Sequence, residues 1–95
     1  MKILITATPI SIENWNKVET KTGMKMEAAT AVLSLGDDDF IAAKVFGKDK
    51  ITALKERIAP QKPVDLVLSI KGLVKQPTPE KTYYENAIMV KWILS

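Results

Sequence analysis

The sequence predicts an all-β fold, a five-stranded Greek-key barrel with one helix between its third and fourth strands. Three observations carry this. Five stretches alternate in hydropathy with the period of a strand, one stretch repeats with the period of a helix, and turn-forming residues separate them at short intervals. The 95 residues, 46% apolar, hold no internal repeat, low-complexity tract or linker, so residues 1–95 read as a single domain.

The first strand runs from Lys2 to about Val18. Ile3, Ile5 and Ala7 take one side, Leu4, Thr6 and Thr8 the other, and Pro9 predicts a bend or bulge. Lys21-Thr22-Gly23 is a turn. Met24 to Leu35 is the second strand, whose small Ala29 and Ala31 let a sheet curve or pack closely. Gly36 to Asp39 forms a tight connection into the third strand, Phe40 to Phe46, where Ile41, Ala43 and Val45 face one way and Phe40, Ala42, Lys44 and Phe46 the other. A narrow barrel interior suits the smaller aliphatic set, which turns both Phe rings outward, to solvent or to a subunit contact; the alternative makes both rings core and turns Ile41, Ala43 and Val45 to solvent.

Gly47 ends that strand. Asp49 is the expected N-cap of a helix carrying Ile51, Leu54 and Ile58 and stopped after Ala59 by Pro60. The fourth strand, Val64 to Lys75, alternates Val64, Leu66, Leu68 and Ile70 with Asp65, Val67, Ser69 and Lys71, and Gly72 predicts a kink or bulge. A loop from Gln76 to Glu80 leads to the fifth strand, Lys81 to Leu94. There Tyr84, Ile88, Val90, Trp92 and Leu94 share one side, which assigns Trp92 to the core or to a subunit interface and leaves one of Tyr83 and Tyr84 available. Three strands, a helix and two strands is the layout of the OB-fold barrel, which presents a curved face and two loops to oligonucleotides or oligosaccharides.

Composition narrows the chemistry. His and Cys are absent, which removes Ser-His-Asp and Cys-His nucleophiles, zinc fingers, redox Cys pairs and disulfide frameworks. No catalytic residue, metal ligand or cofactor is assigned. Asp37, Asp38 and Asp39 read as a solvated turn, because consecutive carboxylates point apart. Gly47-Lys48 lacks the upstream Gly and the following Ser or Thr of a phosphate loop. A nuclease would need clustered carboxylates beside an Arg, and Arg57 falls on the helix, away from the three Asp residues. Of the 14 cationic side chains only Arg57 is not Lys, at a formal charge of +3. Lysines hold phosphate as point charges and do not read guanine edges, so any nucleic acid is held with little sequence preference. Ile3 to Ala7 is too short for a signal segment and no run spans a bilayer, so the expectation is a soluble, cytoplasmic protein without membrane contact.

The run Phe40-Ile41-Ala42-Ala43-Lys44-Val45-Phe46-Gly47-Lys48, the helix after it, Ile70-Lys71-Gly72-Leu73, and the last strand entered through Tyr83-Tyr84-Glu85-Asn86 resemble the bacterial-type single-stranded DNA-binding proteins. The most diagnostic part spans roughly Phe40 to Gly72. The resemblance implies sequence-tolerant binding of single-stranded DNA, with RNA left open, in replication or recombination. It also implies a homo-oligomer, dimer or tetramer, and possible contact with replication proteins. It places Phe40 and Phe46 as stacking aromatics and Lys48 as the basic residue after the Gly. The alternation of the third strand agrees, since it sets Lys44 on the same face as both rings, and a ring beside an ammonium group suits an unpaired base and its phosphate.

Three departures accompany this. The loop from Gln76 to Glu80 has no aromatic, the second strand has no Trp, and the family's long extension with an acidic tip is expected to be missing, as in short phage or plasmid versions or the primosomal replication protein of the same fold. Trp15, in a polar stretch, is open between ligand stacking and local packing. Lys17 and Lys21, with Lys25, bracket the first hairpin, and Lys71 and Lys75, with Lys81, bracket the last loop. These are the two loops that flank an OB groove. The candidate nucleic-acid contacts are therefore Trp15, Lys17, Lys21, Phe40, Lys44, Phe46, Lys48, Lys71 and Lys75. The alternative is an OB-fold interaction module of a replication or phage complex, with only weak nucleic-acid contact.

Overall fold

The structure, a computed structural model, describes residues 1–94; the side chains of residues 73–77, 81 and 83–85 lie outside that description. Its elements are β1 (Lys2–Glu19), β2 (Lys25–Gly36), β3 (Asp39–Phe46), α1 (Lys48–Lys55), β4 (Val64–Thr78) and β5 (Lys81–Ile93). The strands close into a barrel in the order β1-β2-β3-β5-β4, with β4 returning to β1. Every strand pair is antiparallel except β3 with β5, which run parallel and meet at Lys44 and Met89. This is the OB-fold barrel that the strand periodicities predict, with its one helix between β3 and β4.

Alternation builds the interior. Ile3, Ile5 and Ala7 of β1 oppose Leu68, Leu66 and Val64 of β4, and all six point inward. From β2 and β3 come Ala29, Ala31, Leu33, Ala43 and Val45, each buried, with Val90 of β5 and Ile51 and Leu54 of α1 completing the core. The paired alanines, Ala31 with Ala43 and Ala29 beside Val45, leave the room that a tightly curved sheet and a helix across its end require. Among the described residues no polar or charged side chain is buried, so the barrel rests on apolar burial, at roughly 1.5–3 kcal/mol for each large side chain.

Several local expectations give way to backbone geometry. Gly47, not Asp49, is the N-cap: it sits at φ 99, ψ 130, outside the range of a side-chain-bearing residue, and its carbonyl accepts from the Ile51 N–H at 3.1 Å. Asp49 lies instead in the first turn, where its charge complements the helix dipole. The regular helix ends at Lys55, four residues before Ala59. From there i→i+3 bonds, Arg57 N–H to Leu54 O and Ile58 N–H to Lys55 O, tighten the chain, and Gln61 turns it with φ 54.

Gly72 marks no bulge, because the β4–β5 register is unbroken from Leu68 to Lys75. The irregularity falls between Lys75 and Thr78, where one extra residue of β4 absorbs Pro77, and the strand runs on to Thr78 so that the expected loop from Gln76 shrinks to Pro79-Glu80. A bulge absent from the sequence reading sits at Lys91. Val90 pairs with Leu68 and Trp92 with Val67, so β5 advances two residues while β4 advances one. The phase reverses there: Val90 and Ile93 turn in, and Trp92 turns out, 47% exposed, rather than entering the core.

Candidate functional site

The outer face of β2 and β3 is where the third strand's second set of side chains lies. Phe40 is 58% exposed, Ala42 and Lys44 are exposed, and Phe46 is half-buried. Their partners across the ladder are Ser34, Val32, Thr30 and Ala28, all small or of medium size. Phe40 is therefore not roofed by β2, whereas Phe46 packs at the end of the face where its partner Ala28 is buried. Phe40 and Phe46 stand six residues apart on one strand, about 20 Å at the usual rise, with Lys44 between them.

Beyond Phe46 the chain turns at Gly47, whose N–H donates to Glu27 O at 2.8 Å. That bond ties the β3–α1 corner to β2. It forms a groove of about 340 Å³ lined by Lys17, Lys25, Met26, Glu27, Gly47 and Lys48. Three ammonium groups around one carboxylate leave the groove positive. Glu27 stands opposite Lys17 in the ladder and partly offsets it. Lys17 and Lys48, far apart in sequence, are thus brought to one place at the corner beyond Phe46, where Lys17, Lys25 and Glu27 alternate to the side of the sheet opposite the Phe40–Lys44–Phe46 row. Lys25, which brackets the same hairpin, joins them from across Glu19.

Other candidates lie elsewhere. Lys21 is exposed at the tip of the β1–β2 hairpin, in a turn closed by Gly23 N–H to Thr20 O at 3.0 Å. Lys71 is exposed on β4, across from Ala87 of β5, and is separated from β3 by that strand. The side chains of Lys75, Tyr83 and Tyr84 are outside the described residues. Trp15 follows a bulge in which Asn14 adopts φ 54, and its ring, 36% exposed, lies 5.3 Å from the Lys55 ammonium of α1. Asn16, not Trp15, shares the row of Ala28 and Phe46. The structure therefore sets Trp15 against the helix and away from the Phe40–Lys44–Phe46 row.

Asp37 and Asp38 form a two-residue hairpin turn with φ 50 and 65, the left-handed values of a type I′ turn. Among the described residues no group of three or more acidic side chains is arranged to hold a metal ion, and no helix is long and apolar enough to cross a membrane. No family model matches the chain, and no curated protein is significantly similar to it.

Proposed function

We propose that the outer face of β2 and β3 binds single-stranded DNA without strong sequence preference. Bases stack on Phe40 and Phe46, and phosphates follow Lys44 and the Lys17–Lys25–Lys48 groove. The observation that carries this reading is the exposure of Phe40 and Lys44 on a face whose β2 partners are small, with a positive groove around the corner at Gly47 that a DNA strand running past Phe46 would meet. An exposed ring costs solubility without adding to the core, whereas a stacked base is worth about 1–3 kcal/mol on such a ring. The resemblance of residues 40–48 to the single-stranded DNA-binding proteins supports the same reading, as does the Lys-rich, Arg-poor cation set.

The test is a titration with labelled oligo(dT) and a matched duplex across a salt series. Three or four neutralised phosphates give a log–log slope of about −2 to −3 on the single strand. Tighter binding to the single strand with that slope is expected. Equal preference for the duplex, or binding indifferent to salt, overturns the proposal.

A further inference from the structure

The bulge at Lys91 puts a further aromatic on the barrel's outer surface. Trp92, Val67 and Leu4 form one outward row across β5, β4 and β1, and Leu4 is 66% exposed. The Trp92 ring is flanked by the Lys2 ammonium at 5.0 Å and the Lys91 ammonium at 5.8 Å. On its α1 side the ring borders a concavity of about 420 Å³ whose lining includes Asp49, Lys50 and Arg57. Lys50 donates to Lys91 O at 2.9 Å, which joins α1 to this strand. Two ammonium groups thus flank one exposed indole, and Lys50 and Arg57, which donate to the Lys91 and Ala53 carbonyls, line the concavity beside it with Asp49. β5 is the direct neighbour of β3 in the barrel, through Lys44 and Met89.

We infer that Trp92, with Lys2 and Lys91, is a second stacking platform for the same single strand, taking the nucleotides that run past the Phe40–Phe46 face around the outside of the barrel. This rests on the reading of the β2–β3 face given above. The chemistry favours a polyanion with flat bases. The ammonium groups stand where phosphates beside a stacked base would lie, Leu4 and Val67 offer an apolar floor, and an exposed cation–π contact is weaker than the base stack that displaces it. A second copy of the chain fits less well, because a two-fold contact through this patch would set Lys2 and Lys91 against their own counterparts.

The experiment compares the wild-type chain with W92A, W92F and the K2Q/K91Q double variant, using oligo(dT) of about 5 nucleotides, which one OB face can hold alone, and of about 30, which exceeds it. The expected result is that W92A weakens binding of the long oligonucleotide by about five- to 150-fold, the range set by one lost stack, and leaves the short one unchanged. W92F restores most of the loss, and K2Q/K91Q lowers the salt slope for the long oligonucleotide by about 1.4. W92F also keeps the test valid if W92A fails to fold. If both lengths bind all variants as they bind wild type, this inference falls and the β2–β3 site stands. If neither length binds the wild type, the β2–β3 reading falls and takes this one with it. If sedimentation shows a wild-type oligomer that W92A dissociates, Trp92 is a subunit contact and the inference is overturned.

Discussion

At the level of single residues, Phe40 and Gly47 separate the proposed binding from stability. Phe40 is 58% exposed and absent from the core, so Phe40→Ala should weaken oligonucleotide binding by about 1–3 kcal/mol while a thermal melt stays where it was. A fall in Tm with unchanged binding would assign the ring to packing instead. Gly47 is the opposite case. At φ 99 its conformation excludes a side chain even though no atom crowds the position, and its N–H and carbonyl hold β2 and α1. Gly47→Ala should cost about 1–3 kcal/mol, lowering Tm by at least about 4 °C, and it should loosen Lys48 in the groove. The outward turn of Phe40 was legible from alternation, because Ala43 and Val45 are the better fit to a narrow interior, and their burial decides against the alternative of core rings. The place of Trp15 was not. One left-handed residue, Asn14, re-aims the ring toward α1, and hydropathy has no signature for that.

Among the elements, the strands were read correctly in order and nearly in extent because each buries one face, which forces period two on the sequence. Bulges escape such reading, since an inserted residue shifts the phase without altering composition. The one at Lys91 reversed the side assigned to Trp92. The helix cap was misplaced for a related reason: Asp49 has capping chemistry, but the cap falls on Gly47, the residue able to adopt the required dihedrals. Turn chemistry offers a direct check. Asp37 and Asp38 both hold left-handed dihedrals, which Asn and Gly adopt at less cost. Replacing them by Asn-Gly should stabilise the β2–β3 hairpin by about 0.5–1 kcal/mol, seen as a Tm rise of a few degrees without change in oligonucleotide affinity. A fall in Tm would mean that the two carboxylates have a role beyond the turn.

For the molecule as a whole, the radius of gyration is 14.7 Å, against about 12 Å for a compact chain of this length. The excess fits two hairpins that outrun the core: Lys71, Gly72, Thr78, Thr82 and Asn86 are exposed on the β4–β5 arm, and Asn14 to Lys17 on the β1–β2 arm. Stability therefore resides in the closed barrel. Leu68→Ala, at a fully buried site between Ile3 and Val90, should cost about 2–5 kcal/mol, a large part of the roughly 5–15 kcal/mol that a domain has, as a denaturant titration would show. The proposed DNA-binding surface is the outer β2–β3 face of that barrel. Amide and side-chain NMR shifts of the labelled protein, followed while oligo(dT) of about five nucleotides is added, test it most directly. Shifts should concentrate at Phe40, Lys44, Phe46, Lys48, Lys17 and Lys25. Saturable shifts confined to other surfaces, with those residues unmoved, would contradict it.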